Sequence, residues 1–530
     1  MKKFLVVLMS LGLIMAIAMP AAAVDVKFSG LWYMAGTYVD NPSLLDKQEA
    51  NTNPSWGNTS RRGAEAFYQT ALSVNTTFQV VEGLALKTAF STLNGMMGDN
   101  SWAGGGLFRS SQGTSSRMST GVSGSMTREN IEIQAAWADV KLPFGRLQAG
   151  YAAAGGGGWG TMFGNDIYTW PTIRYDNTFG PVSIFTSVMK IREWSNANAF
   201  GRGYLAANSG LRNDSDSDAY RIGAVVKFKP GEAGLMYEFW RDARAKAIGI
   251  DGSGIVPPGS NGWVTKISTV APYAKFQFGP AYIEAEGWYR FGQLRQYETF
   301  TTGFTPQSDV DVSAWAGYIK GEVNFKPFFA GAMFVYKSGD EMKDQNKVTG
   351  SIAQGFGDDY LSPGWNLIMF NYDLIDPVGS LQGNIGPSAA TGGQNPRTIQ
   401  SYQMARYMDN IWYYQVYAGV NPTAKLNITA KLAYATADKK PKSGVGAVGE
   451  TLTTTNAAAT TIQGSTKIRE FVSDKFGTEV DLIATYKIYD NLTYSVGAGY
   501  FWTGDYFKGY DSNAVVKDNY ILTHKLRLAF

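Results

Sequence analysis

The segment YILTHKLRLAF, Tyr520–Phe530, decides the fold. Leu522, Leu526, Leu528 and Phe530 fall on one side of an extended chain, and Lys525 and Arg527 on the other. A period of two residues is the period of a β-strand, and it separates an apolar face from a polar face. The segment therefore predicts a strand that meets water on one face and an apolar phase on the other.

The same unit recurs along the whole chain: an alternating segment of roughly ten to fifteen residues, a tight turn, a second such segment and a long polar loop. Gly, Pro and Asn are the residues that close tight hairpins. The predicted turns contain Glu82-Gly83, Pro143-Phe144-Gly145, Phe179-Gly180-Pro181, Pro230-Gly231, Phe278-Gly279-Pro280, Lys326-Pro327, Asn421-Pro422 and Asp490-Asn491. With a first strand over 25–39 and a last strand over 518–530, eight hairpins give eighteen strands.

Short and long connections alternate throughout, so an antiparallel meander would put every short turn at one end. This arrangement predicts an all-β fold, a transmembrane antiparallel up-and-down barrel of about 18 strands, with 16 to 20 possible. Aromatic residues near predicted strand ends, namely Trp32, Trp137, Tyr486 and Trp502, suit the two interfaces of a membrane. A large soluble β-sandwich or propeller is the alternative, because the alternation alone does not say which phase the apolar face meets.

The N-terminal residues predict an exported protein. Met1-Lys2-Lys3 is basic, 4–19 is almost wholly apolar, and Ala21-Ala22-Ala23 offers small residues to a signal peptidase. We expect 1–23 to be a signal peptide cleaved after Ala23, and 24–530 to form a single barrel domain. The sequence has no cysteine, which excludes disulfides, thiolate metal sites and c-type haem attachment. With 47 basic and 44 acidic residues, no nucleic-acid partner is expected.

The signal, the hairpin series and the closing strand together resemble a Gram-negative outer-membrane porin, although these features are generic and indicate no subfamily. The resemblance implies an outer-membrane location and a water-filled channel for passive diffusion of small hydrophilic solutes or ions. It also implies contact with lipid and lipopolysaccharide, a homotrimer, and recognition by the barrel-assembly machinery. In such proteins the terminal strand is the assembly signal, and here Leu526, Leu528 and Phe530 match it.

Alternation also predicts which charged residues face the channel, and it gives thirteen basic against eight acidic ones. This excess indicates a weak preference for anions, unless the charges merely pair across strands and solvate the wall. In YIEAEGWYR the acids and the arginine recur at period two beside Trp288, so this cluster is expected to line a constriction. The candidate pore-lining residues are Glu284, Glu286, Arg290, Lys320, Glu322, Arg174, Asp176, Lys425, Lys431, Asp481, Lys525 and Arg527.

Two connections need separate interpretation. The connection over 339–409 far exceeds ordinary loop lengths, and we expect it to fold into the barrel and constrict it, with an external cap or a further hairpin as alternatives. Its candidate residues are Asp358, Asp359, Tyr360, Trp365, Arg397 and Arg406.

The glycine run Gly155–Gly158, which precedes Trp159, lacks the Lys-Ser or Lys-Thr of a phosphate-binding loop. It is interpreted as a flexible external loop.

Other function classes are less well supported. The single histidine, His524, falls on the lipid side of the last strand, so a Ser-His catalytic pair is not expected and the protein is predicted not to be an enzyme. No metal or other cofactor is predicted. The alternative function is a structural one, in which the barrel sheathes a trans-outer-membrane complex such as an electron conduit.

Overall fold

The computed structural model describes residues 25–41, 64–96, 131–151, 159–163, 170–192, 216–243, 250–251, 254–255, 263–297, 308–340, 344, 346–350, 366–369, 410–440, 470–508 and 512–530. Almost all of these residues lie in β-strands, and the predicted signal peptide lies outside them. A single 3-10 turn, Asp505–Lys508, accompanies the strands in this part of the chain. Among the described residues, no helix has the length and apolar character needed to cross a membrane.

Twenty-one strands are numbered in chain order. They are β1 Asp25–Asp40, β2 Glu65–Val81, β3 Leu84–Met96, β4 Ile131–Leu142, β5 Gly145–Tyr151, β6 Pro171–Phe179, β7 Val182–Arg192, β8 Ser217–Phe228, β9 Gly231–Asp242, β10 Ile250–Asp251, β11 Gly254–Ile255, β12 Trp263–Phe278, β13 Ala281–Tyr297, β14 Val310–Phe325, β15 Phe328–Lys337, β16 Lys347–Val348, β17 Ile411–Thr423, β18 Leu426–Ala437, β19 Lys475–Tyr489, β20 Leu492–Thr503 and β21 Asn519–Ala529.

Eighteen of these strands form one closed antiparallel wall. Each wall strand pairs with the next in chain order, β15 pairs directly with β17, and β21 pairs with β1 from Leu31↔Ala529 to Asp40↔Tyr520. The three two-residue strands are accessory: β10 and β11 pair with each other, and β16 runs parallel to the start of β14. The structure confirms the predicted eighteen-strand up-and-down barrel.

Seven of the eight predicted hairpin turns lie where the sequence predicts them, and the eighth is displaced. The wall strand β17 continues through Asn421 and Pro422, and the turn is formed by Ala424 and Lys425. Proline has no N–H to give to a ladder, and the register between β17 and β18 shifts between Val420 and Thr423, across these two residues. Asn421-Pro422 is therefore a bulge before the turn, which corrects the prediction.

The outer surface of the wall is an apolar belt. Phe28, Ile133, Ile222 and Leu522 are between 51% and 66% exposed, on strands spread around the barrel. A contiguous exposed apolar surface of this extent is the property of a wall that faces hydrocarbon rather than water. The wall therefore has the form of a membrane-spanning barrel.

Aromatic residues occupy both faces of the wall. Tyr486 and Trp502 point outward, each 47% exposed, as predicted for interfacial residues. Trp137 instead shares the inner face with Asp139, two residues along β4, and pairs in register with Lys87. Trp137 also lies in the middle of β4 and not near a strand end, so the prediction that it is an interfacial residue is wrong.

His524 lies on the outer face of β21, as alternation predicts. Its ring meets the edges of Tyr68 and Tyr494, with centroids 5.7 and 6.0 Å away. The imidazole fits flat against the wall because its cross-strand partner is Gly36, where a side chain would collide with it. The histidine is thus packed between two tyrosines of the outer wall.

Candidate functional site

Five residues of the connection between β5 and β6 lie in the barrel lumen. We call its described part, Trp159–Phe163, the first inserted segment. Trp159, Met162 and Phe163 are 4%, 4% and 0% exposed, whereas apolar side chains of an external loop would meet solvent. The first inserted segment therefore fills part of the lumen with hydrocarbon.

Trp159 fixes one end of this segment to the wall. Its ring meets Tyr273 edge-on with centroids 5.0 Å apart and Phe185 at 5.6 Å, and its Nε1–H donates to the carbonyl oxygen of Ala271 at 2.9 Å. Aromatic edge contacts and a satisfied indole N–H are the usual conditions for burying tryptophan. The indole is therefore held to β7 and β12 in one orientation.

Two glycines of the wall make room for this indole. A Cβ atom on Gly234 would lie 2.8 Å from Trp159 Cη2, and one on Gly223 would lie 3.2 Å from Trp159 Cζ3. Gly223 is on β8 and Gly234 on β9, so they lie on adjacent strands of the inner face. The wall is recessed where the indole docks.

Glu286 of β13 receives the middle of the first inserted segment. The backbone N–H groups of Thr161 and Met162 both donate to its Oε2 at 2.7 Å. Its Oε1 accepts the indole N–H of Trp288 at 2.5 Å. Glu286 is 4% exposed, so these charge-assisted bonds replace the water that a buried carboxylate loses.

Phe163 completes the contact with the wall. Its ring meets Tyr318 of β14 with centroids 6.5 Å apart, and the ammonium of Lys337 lies 5.8 Å from the ring centre. Lys337 is itself fully buried on β15. The first inserted segment thus crosses the inner wall from β7 to β15.

Four residues of the long connection after β16 also lie in the lumen. We call its described part, Asn366–Met369, the second inserted segment. The N–H groups of Ile368 and Met369 donate to the two carboxylate oxygens of Glu479 at 2.7 Å each, and Leu367 N–H donates to Asp481 Oδ2 at 3.1 Å. Both acids are on β19 and fully buried.

The second inserted segment also docks on glycines. A Cβ atom on Gly497 would lie 3.0 Å from Leu367 Cδ1, and one on Gly499 would lie 3.4 Å from Leu367 Cβ. On the other side, the hydroxyl of Tyr413 hydrogen-bonds with the side chains of Asn366 and Gln415. The second inserted segment is therefore held between β17 and β20.

A row of polar side chains crosses the inner face of the wall from β5 to β13. The cross-strand register joins one residue from each of seven neighbouring strands. They are Gln148, Arg174, Ser187, Arg221, Glu238, Thr269 and Arg290. Arg221 donates to Glu238, and Arg174 pairs with Asp176 at 2.7 Å.

A second row on the same wall alternates in charge over five strands. Its members in register are Lys227, Glu232, Lys275, Glu284 and Lys320. Lys275 lies 2.9 Å from Glu232, and Lys320 lies 4.0 Å from Glu284, which also accepts the Tyr282 hydroxyl at 2.6 Å. Opposite charges directly across strands stabilise a sheet, so this row is largely self-compensating.

The basic residues on β21 have uncharged cross-strand partners. The cross-strand partners of Lys525 are Ala35 and Ser495, and those of Arg527 are Tyr33 and Thr493, all uncharged. The ammonium of Lys525 lies 4.3 Å from the centre of the Tyr33 ring, at a cation–π distance. This part of the wall therefore carries positive charge with neutral neighbours in register.

The structure describes the candidate pore-lining residues but none of the candidates of the long connection. Eleven of the twelve candidate pore-lining residues lie on the inner face of the wall. Lys425 lies in the turn after β17 instead, because that turn is displaced, so it is not part of the wall. All six candidates of the long connection, Asp358, Asp359, Tyr360, Trp365, Arg397 and Arg406, lie outside the described residues, as does Gly155–Gly158.

The sequence interpretation missed the first inserted segment and treated its surroundings as an external loop. It also missed the docking role of Glu286, Glu479 and the four wall glycines. The signal was present in the apolar residues Trp159, Met162 and Phe163, which a solvated loop has no reason to contain. Within the described ranges, no cluster of three or more acidic or histidine side chains could hold a metal ion.

No family model matches the chain, and no curated protein matches it. Among solved structures it is similar to OccAB3 of Acinetobacter baumannii (8% identity, TM-score 0.45, 95% of this chain and 99% of that one). It is also similar to OccK9 (OpdG) of Pseudomonas aeruginosa (11%, 0.43, 96% and 99%) and the outer membrane channel DcaP of A. baumannii (10%, 0.38, 96% and 99%). At these identities and TM-scores, the likenesses assign neither a family nor a solute to the chain.

Proposed function

We propose that the protein is an outer-membrane channel through which small hydrophilic solutes diffuse passively. The observation that carries the proposal is a closed eighteen-strand wall that is apolar outside and polar inside, with two chain segments docked in its lumen. A barrel of this strand number is wide enough to hold water. Segments fixed inside such a barrel reduce its cross-section and so limit solute size.

A weak anion preference is part of the proposal. The second row, from β8 to β14, has three lysines against two glutamates, and Lys525 and Arg527 add two basic side chains to the inner face of β21. Lys87 and Arg146 share Asp139, with Lys87 Nζ 2.7 Å from its Oδ2, which leaves that cluster one positive charge in excess. Fixed charge on a pore wall favours the ion of opposite sign.

The purified protein in planar lipid bilayers provides the test. We expect stepwise conductance increments and exclusion of polymers above a cut-off size. In a KCl gradient we expect a reversal potential shifted toward the equilibrium potential of chloride. Assembled, heat-modifiable protein that gave no conductance in either orientation would overturn the proposal. A homotrimer is proposed from the resemblance alone, and chemical cross-linking in the native membrane tests it.

A further inference from the structure

The two inserted segments carry the same short motif. The first is contained in GWGTMFGND, Gly158–Asp166, and the second in GWNLIMFNYD, Gly364–Asp373. Both have the form Gly-Trp, two or three residues, Met-Phe, two residues, Asp. The two copies lie more than 200 residues apart, in different connections of the barrel.

The motif positions that bind the wall are also the same. In each copy the N–H of the methionine and the N–H of the residue before it donate to one glutamate, from Thr161 and Met162 to Glu286 and from Ile368 and Met369 to Glu479. All four distances are 2.7 Å. Met162 and Met369 are both buried, at 4% and 2% exposure. The same two motif positions therefore make the same hydrogen bonds to a glutamate at both docking points.

The wall residues around the two docking glutamates also match each other. Each docking glutamate has a second acid two residues nearer the short-turn end of its strand, Glu284 in β13 and Asp481 in β19. Each second acid faces a lysine in register on a neighbouring strand, Lys320 and Lys431 respectively. A Glu-x-acid pair with a lysine beside it thus underlies each segment.

We propose that Glu286 and Glu479 are two equivalent positioning residues, each holding one inserted segment in the lumen. The inference rests on the proposed channel function and extends it. The hydrogen bonds that hold the two segments come from different strands, β13 and β19, so each docking glutamate holds its own segment, although both segments contribute to one buried hydrophobic cluster. Release of either segment should then widen the part of the lumen that the segment occupies.

The substitutions Glu286→Gln and Glu479→Gln keep the shape of each side chain and replace one of its two acceptor oxygens with an amide NH2 group, which cannot accept a hydrogen bond. We expect each variant to have larger single-channel conductance than the parent and to admit larger polymers, and the double variant to show both increments. Glu82→Gln is the control, because it makes the same chemical change in the exposed turn between β2 and β3, outside the lumen wall. Equal changes in the control, or none in the two variants, would contradict the proposal.

Deletion of residues 157–165 separates positioning from direct lining of the pore. If Glu286 acts through the first inserted segment, Glu286→Gln should change conductance in the full chain and leave it unchanged in the deletion. Glu479→Gln should retain its full effect in that same deletion. An equal effect of Glu286→Gln in both backgrounds would show that the carboxylate acts on permeating ions itself.

Amide hydrogen exchange gives a reading that does not depend on conductance. We expect Glu286→Gln to accelerate exchange at Thr161 and Met162 by roughly tenfold, with Ile368 and Met369 unchanged, and Glu479→Gln to do the reverse. A parent protein without conductance would overturn the channel function, and unchanged exchange in both variants would overturn the docking assignment. The two failures are therefore distinguishable.

Discussion

Gly30 and Phe530 exchange two backbone hydrogen bonds: Gly30 N–H donates to the Phe530 carbonyl oxygen at 2.7 Å, and Phe530 N–H donates to the Gly30 carbonyl oxygen at 3.0 Å. The Phe530 ring also covers Gly30, since a Cβ atom there would lie 2.5 Å from Phe530 Cζ. Residue 530 thus continues the ladder by which β21 closes the wall on β1.

Gly30→Val should therefore impair barrel closure, because valine would meet both the Phe530 ring and the carbonyl oxygen of Ser73, 2.6 Å from the Cβ position. We expect a clear fall in heat-modifiable barrel on gels, and a similar fall when Phe530 is deleted. Gly321→Val is the matched control, because no atom lies within 4 Å of a Cβ added there. Equal barrel levels in Gly30→Val and Gly321→Val would contradict the closure contact.

Gly234→Ala should displace Trp159 from the inner wall. The added methyl would lie 2.8 Å from Trp159 Cη2, closer than side-chain atoms pack, and would also collide with the Tyr273 ring. We expect altered single-channel conductance and faster exchange of the Trp159 indole N–H, which now donates to Ala271. Gly317→Ala, with open space around its Cβ position, should leave both unchanged.

Lys525→Glu should lower the anion-to-cation permeability ratio by roughly twofold or more, since it reverses a charge on the lumen wall. Reversal potentials in a KCl gradient measure this ratio. Lys425→Glu makes the same change in an exposed turn, where ions screen it within about 10 Å at 0.1 M salt. A shift with Lys425→Glu as large as that with Lys525→Glu would argue against selectivity at the wall.

Glu238→Gln should destabilise the barrel by about 3 kcal/mol, because it leaves Arg221 buried opposite a neutral group. The side chains of Arg221 and Glu238 are 4% and 11% exposed, so solvent screens the pair little. Replacing both residues with methionine should be less harmful than the single change, because no uncompensated charge stays buried. Thermal loss of the heat-modifiable form compares the three variants, and a more stable single variant would contradict the assignment.

The strands of the wall could be predicted from the local sequence, whereas the two inserted segments in the lumen could not. Alternation and turn residues act between near neighbours, so Val26 and Phe28 could be assigned outward and Glu284 and Glu286 inward by counting. The prediction was wrong at Trp137, which lies in the middle of β4, and at Asn421-Pro422, which lies within β17 where its register with β18 shifts. The docking of Thr161 and Met162 on Glu286 joins residues about 125 positions apart, and no local periodicity encodes such a contact.

The pairing of β21 with β1 has a consequence for how the protein folds. The hydroxyls of Thr37 and Thr523 meet at 3.3 Å although the two residues are 486 positions apart in the sequence, so the seam closes only when nearly the whole polypeptide is present. Long-range contacts of this kind make folding slow, and until they form, both strands offer unpaired edges to other chains. The period before closure is therefore when this protein is most exposed to mispairing with other chains.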